Sequence, residues 1–284
     1  MEVPEPPITN THTPSALLRA LLSTIEKHVV PLTAAGVSQG SKVFGAAVLS
    51  GADLAPLTAA TNDERWSPLL HGEVNCIQMF FAQRRFPAPE LEKEKTENEK
   101  GAEQQEEKEE LGSNERGSNE LGSNESYPYP LGSGRPSPRS CVFLATHEPC
   151  SLCLSALAWA GFATVYYLFA HADSRDLFAI PYDIDILEAV FRVPSPSSPS
   201  PSPTTTSPPP TTKPEERSSR PLYNRTNKFF TARSLAELAA EVPGADERRA
   251  WEAEIARVRA LYDGLNERYQ QAKREGVGSA SFWK

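Results

Sequence analysis

Nothing in the 284-residue sequence approaches the run of roughly 18–20 apolar residues that a membrane-spanning helix needs. The segment 1–10 also lacks the charged-then-apolar pattern of a secretory leader. Both absences point to a soluble intracellular protein, cytoplasmic with the nucleus left open, and to no membrane partner. Cysteine is scarce, with four residues in all. Cys76 and Cys141 lie in apolar-patterned segments where a buried free thiol is ordinary, so no disulfide framework is expected. A basic excess is missing too. The net charge is −8, and Pro89–Ser126 alone carries 13 glutamates against five lysines and arginines, so everything outside that stretch sums to zero. A neutral remainder lacks the clustered positive charge with which nucleic-acid binders track phosphate, which favours a small substrate.

Hydrophobic residues, at 39%, are few for a wholly folded chain, and the deficit is localised. Residues 88–139 run from Glu/Lys-rich sequence through three x-Gly-Ser-Asn-Glu pentapeptides at 111–125 into Pro/Gly/Ser-rich sequence. Residues 193–220 are Pro/Ser/Thr-rich. Neither stretch can bury enough apolar surface to offset its ordering entropy, and both are read as disordered inserts. The remainder is strongly patterned. Leu17, Leu18, Leu21, Leu22, Ile25 and Val29 keep a helical period, with Thr13 as cap, Pro14 at the first position and Pro31 as the stop. Residues 42–50 and 54–61 read as a strand hairpin, 71–83 as a helix, and 141–146 as a buried strand. A helix at 150–159 ended by Gly161, a strand at 164–169 and a helix at 183–191 follow. The tail, 221–284, reads as helical, with a break at Pro243–Gly244 and an apolar stripe at Trp251, Ile255, Val258, Leu261 and Leu265. With both inserts removed, this alternation gives a three-layer α/β/α sandwich. The inserts enter at loops, where added length costs little closure entropy.

Two short motifs carry chemistry. His71-Gly72-Glu73 opens one helix, and Pro149-Cys150-Ser151-Leu152-Cys153 opens another directly after a buried strand. Alone, H-x-E is close to noise, and C-x-x-C also suits a redox pair or a structural zinc. Together they offer one imidazole and two thiolates, three ligands where a structural zinc would want four, which leaves a tetrahedral position open for water. Cysteines at i and i+3 share a helical face, and a helix amino terminus stabilises thiolate.

The phrase Thr146-His147-Glu148-Pro149-Cys150-Ser151-Leu152-Cys153 followed by Ala156-Leu157-Ala158-Trp159-Ala160 resembles the T-x-E-P-C-x-x-C-x-x-A-x-x-W/Y-A pattern of the cytidine deaminase superfamily. The likeness is to the branch whose first zinc ligand is His, shared by cytosine, guanine and tRNA adenosine deaminases. Gly40–Leu49 resembles that family's strand entrance, with Ser41 where a substrate-contacting Asn would stand and Val43 where a Pro would. Asn62 and Pro68-Leu69-Leu70-His71-Gly72-Glu73 resemble its approach to the first ligand. The match spans 15–87 and 140–191, within a deaminase domain read as 15–191.

The resemblance implies a mixed five-stranded sheet between helices and one Zn2+ per chain on His71, Cys150 and Cys153, with Glu73 as acid and base. It implies hydrolytic deamination of a nucleobase, nucleoside or nucleotide: zinc activates water, and Glu73 carries protons from that water to the ring nitrogen and the departing ammonia. Phe44, Ser41, Asn62, His147, Asp173 and Asp176 are the candidate substrate contacts, with Arg175 as a phosphate contact; for Asp173, Asp176 and Arg175 the alternative is loop polarity or a salt bridge between neighbours, and for His147 a role in orienting Glu148. Phe44, Trp66, Trp159, Phe169 and Phe178 are either base-stacking residues or plain core. The cluster Tyr223–Phe230 is either a pocket wall or a connector. The family commonly forms dimers or tetramers, so a homo-oligomer is implied by resemblance. Two alternatives stay open: an RNA (tRNA) base deaminase, and a catalytically silent zinc-fold scaffold.

Overall fold

A computed structural model describes residues 12–82, 136–191 and 221–277. The two inserts lie outside the described residues, except that 136–139 are described and lead, through a 3-10 turn at Pro138–Ser140, into the first strand that follows.

Helix α1, Pro14–Thr24, begins as its sequence dictates: Thr13 Oγ1 accepts a hydrogen bond from Ala16 N at 3.2 Å, and Pro14 takes the position that needs no N–H. Pro31 does not stop the helix. The chain widens into a π-helical turn over Ile25–Val29 and continues as α2, Val30–Val37, with Pro31 in its first turn. The wider turn leaves room for the proline ring where an α-helical carbonyl would clash, and a first-turn residue has no need of its N–H.

Strands β1 (Gly45–Ser50) and β2 (Pro56–Thr61) form the expected hairpin. Helix α3 (Gly72–Phe81) follows, then β3 (Cys141–His147), α4 (Ser151–Ala160) and β4 (Thr164–Phe169). Gly161, at φ 87, ends α4 in the left-handed conformation that glycine adopts without cost. Short helices α5 (His171–Asp176) and α6 (Tyr182–Ile186) come next, and a π-helical turn, Leu187–Phe191, extends α6.

The tail is not helical throughout. Thr231–Ser234 forms β5, parallel to β4, before α7 (Leu235–Ala240), α8 (Ala245–Ala260) and α9 (Asp263–Arg274). Four residues, Thr-Ala-Arg-Ser, are too short and too polar to show strand periodicity; pairing with a buried neighbour makes them a strand. The tail breaks at Pro243–Gly244 as expected and again at Leu261–Tyr262.

The sheet order is β2-β1-β3-β4-β5, with β1 antiparallel to β2 and β3, and β3, β4 and β5 mutually parallel. This is the mixed five-stranded sheet of a three-layer α/β/α fold. One face packs Val142, Leu144 and Tyr166 against Leu18 and Leu22 of α1, Leu235 and Leu238 of α7, and Ile255 and Val258 of α8. The other packs Phe143, Val165 and Tyr167 against Cys76, Ile77 and Phe80 of α3 and Leu154 and Leu157 of α4. Cys76 and Cys141 are buried free thiols; burial pushes Cys141 up to about 11 and Cys76 higher still, so both are inert. No helix among the described residues is long and apolar enough to cross a membrane.

Candidate metal centre

Both motifs sit at helix starts. His71 is the residue before α3, in extended backbone at ψ 156, and Cys150 holds the same place before α4 at ψ 173. Glu73 and Cys153 lie in the first turns. Two helix amino termini, each with unpaired N–H groups and a positive dipole end, therefore converge on one point. Gly72 is required there: a Cβ on it would stand 2.9 Å from Gly45 Cα and 3.1 Å from Phe44 O. Asn62 fixes the same corner, its Oδ1 accepting from Gly72 N at 2.5 Å while its own N donates to Phe44 O at 3.1 Å.

His71 Nδ1 lies 3.4 Å from Cys150 Sγ and 3.7 Å from Cys153 Sγ, and the two sulfurs are 3.5 Å apart. Tetrahedral bonding at about 2.3 Å to sulfur and about 2.0–2.1 Å to nitrogen gives edges of about 3.6–3.8 Å. The three donors thus already stand near the corners such an ion needs, and the cluster is a group that could hold a metal ion.

Electrostatics point the same way. The contact with Cys153, together with the neighbouring His71, holds the Cys150 thiol well below its ordinary value, whereas burial pushes Cys153 up. Burial pulls His71 down, but its contact with the Cys150 thiolate prevails and raises it to about 9. The trio keeps protons that a divalent ion would displace. Glu73 is buried, accepts from Cys153 Sγ at 3.3 Å, and is pushed up to about 7 by burial and by the Cys150 thiolate. A carboxyl near neutrality can both take and give a proton.

The remaining expected residues fall in three places. Ser41 and Asn62 are buried, and neither Ser41 Oγ nor Asn62 Nδ2 has a hydrogen-bond partner among the described residues. Phe44 meets His147 edge-on at 4.6 Å; His147 in turn stacks on Phe169 at 4.8 Å and meets Phe178 edge-on at 4.7 Å. Burial drives His147 down to about 3, so it is neutral there. The carboxylate of Asp173 is bound by Arg259 at 2.8 and 3.1 Å and accepts from Ala170 N at 2.8 Å. Exposed Asp176 pairs with Arg175 at 2.7 Å. Both acids are thus paired with arginines. Trp66 and Trp159 are 81% and 92% exposed, so neither belongs to the core. Tyr223 is tied to the site's frame: its OH donates to Glu148 Oε1 at 2.9 Å, and Glu148 Oε2 accepts from His171 N at 3.0 Å.

Sequence reasoning missed Asp183. It lies in the first turn of α6, and burial and the Cys150 thiolate push its carboxyl up to about 7, while His71 and Lys42 pull it down. A carboxyl coupled to these groups stands beside the cluster. Its only sequence signal is an acid after Pro181 at a helix start, with no motif spacing to mark it.

No protein-family model and no curated protein sequence matches the chain. Among solved structures, the chain is similar to a guanine deaminase from Nitrosomonas europaea, at 12% identity and a TM-score of 0.34 over 92% of this chain and 100% of that one. Two structures of point mutants in complex with 8-azaguanine align at 12% and 13% identity. Their TM-scores are 0.37 and 0.36, over 93% and 90% of this chain and 98% of each of theirs. Likeness of that degree adds nothing to what the site's own geometry carries.

Proposed function

We propose that the chain is a zinc-dependent hydrolase that deaminates a nucleobase, nucleoside or nucleotide, replacing an amino group on a cyclic amidine with oxygen and releasing ammonia. One observation carries this reading: an imidazole and two thiol sulfurs at 3.4–3.7 Å spacing, with a buried carboxyl at 3.3 Å from one sulfur. The donor set fits zinc in kind and in spacing, with His71, Cys150 and Cys153 as its holders. Bound there, zinc supplies Lewis acidity that makes water a nucleophile near neutral pH.

The chain's own residues supply the rest. Glu73 takes a proton from water as oxygen attacks the amidine carbon and passes it to the ring nitrogen; it then moves the remaining hydroxyl proton of the adduct to the amine, so that the C–N bond breaks, the carbonyl forms and ammonia leaves. Asn62 Nδ2 and Ser41 Oγ, both buried with hydrogen-bonding capacity unused, are positioned to orient the substrate by polar contact. Asp183, held near neutrality and within Coulombic reach of His71 and Cys150, is a further polar group offered to the substrate. Phe44 and His147 back the pocket with apolar rings. Neutral overall charge outside the first insert favours a small substrate over an RNA strand.

Ammonia release by the zinc-loaded protein across cytosine, guanine, adenine, their nucleosides and their nucleotides tests the reading. Turnover of one compound, lowered about 10²–10⁴-fold in Glu73→Ala with zinc retained, is the expected result. Silence across the panel with zinc bound would overturn the small-substrate reading in favour of RNA or a silent scaffold.

A further inference from the structure

Between α5 and α6 the chain makes a turn that its residues do not favour. Ala179 stands at φ 54, in the left-handed region where a Cβ crowds the backbone. Inside the turn, Ile180 N donates to Ser174 O at 3.0 Å. The two carbonyls just before Ala179 are met from another element. Asn266 Nδ2 donates to Leu177 O at 2.8 Å, and Gln270 Nε2 donates to Phe178 O at 2.6 Å. Both donors come from one face of α9, one helical turn apart, and Gln270 Nε2 also reaches Asn266 Oδ1 at 3.3 Å.

Packing holds part of this turn: Phe178 and Ile180, on either side of Ala179, are buried in the core. Leu177 is 54% exposed, and Leu177 and Phe178 line an open groove of about 610 Å³ with Ile255, Arg259 and Asn266. A strained residue persists only where its surroundings over-determine it; here the buried Phe178 and Ile180 side chains and, at the carbonyls beside the open groove, the side-chain amides of α9 together provide that hold. Four residues beyond Ala179, the first turn of α6 carries Asp183.

We infer that Asn266 and Gln270 are positioning residues for the site: by holding the Leu177–Ala179 turn they set where α6 begins, and so where the Asp183 carboxylate stands relative to His71, Cys150 and the substrate. For its consequence in catalysis this rests on the deaminase reading above. Neither amide touches the reacting atoms; both act through Asp183.

A double-mutant cycle tests it on the full-length, zinc-loaded protein. The paired change Asn266→Leu/Gln270→Leu is made in the wild type and in Asp183→Asn, and each protein is measured for kcat and KM on the base the wild type turns over, for zinc content, and for backbone amide hydrogen exchange. The expected result is a loss of about tenfold in kcat/KM in the wild-type background and none in the Asp183→Asn background, with zinc unchanged. Exchange rises over 177–186 and stays constant over 150–160. Gln270→Glu, which keeps the size and removes the donor, reproduces the pattern if the leucine pair fails to fold. An equal loss in both backgrounds, or none in either, overturns the inference. Unchanged exchange over 177–186 overturns it whatever the activity. Faster exchange there in a protein that deaminates nothing upholds the hold on the turn, and it is then the deaminase reading that falls.

Discussion

The two sides of the cluster are held by different means. On one side, His71, Glu73, Cys150 and Cys153 all belong to the first turns of α3 and α4, so two short motifs fix their backbone. On the other, the path to Asp183 is fixed by side chains far away in sequence: Arg259 on Asp173, Asn266 on Leu177 and Gln270 on Phe178, at separations of 86, 89 and 92 residues. The candidate metal cluster is thus a local property of two helix starts, while the placement of the chain leading to Asp183 is a tertiary property of the tail. The first can survive large changes elsewhere. The second depends on the tail staying docked.

The sharpest way to break the comparison is at a ligand. Cys150→Ser should take zinc from about one per chain to near none and abolish deamination, because a lost thiolate removes one of only three holders; metal analysis showing undiminished zinc would remove the assignment. Next comes pH. Buried His147 stays neutral in the folded state down to about 3, whereas in the unfolded chain it takes a proton at its ordinary value. Stability therefore falls as pH drops below about 6.5, by at most roughly 1.4 kcal/mol per pH unit. His147→Phe should flatten that slope in denaturant titrations between pH 7 and 4, and an unchanged slope would show that other groups carry it.

Gly72→Ala probes the close approach of α3 to β1. The added methyl meets Gly45 Cα and Phe44 O, and overpacking of this kind costs about 1–3 kcal/mol; zinc content should fall with stability, since His71 is displaced with the helix start. The smallest effect is expected on the far wall. Arg259→Gln frees Asp173 and leaves Leu168 O without its 3.1 Å donor, at a cost of about 1–2 kcal/mol in thermal unfolding, with zinc content unchanged. Loss of zinc in that variant would merge the two regions into one.

What could be read in the sequence divides along the same line. Strand 164–169, the start of β3 at Cys141, the helix starts at His71 and Cys150, and the Gly161 stop all follow from short-range pattern, and each stands where the residues place it. Pro31 reads as a stop because nothing local announces the π-helical turn that carries the helix past it. β5 is invisible because its pairing partner, β4, supplies the reason for its extension. Asp173 reads as a substrate contact or a partner for a neighbouring charge, and its partner, Arg259, arrives from α8; Trp159 reads as a stacking residue or core, whereas it stands 92% exposed. For β5 and Asp173 the deciding neighbour is distant in the chain; for Pro31 it is the adjoining turn.

The β1–β3 register has a consequence for how the centre is assembled. Ala46 pairs with Ala145, and Gly45 exchanges hydrogen bonds with the Thr146 hydroxyl, its N donating at 3.0 Å and its O accepting at 3.1 Å, so the two strands are locked at the end where β3 runs on to Cys150 and where Gly72, beside His71, packs against Gly45. The strand pair aligns His71 with Cys150. Each half of the centre is a cartridge, and the sheet is the rail on which the two slide home. A one-step slip along that rail would turn β3 over and leave the imidazole and the thiols on opposite faces.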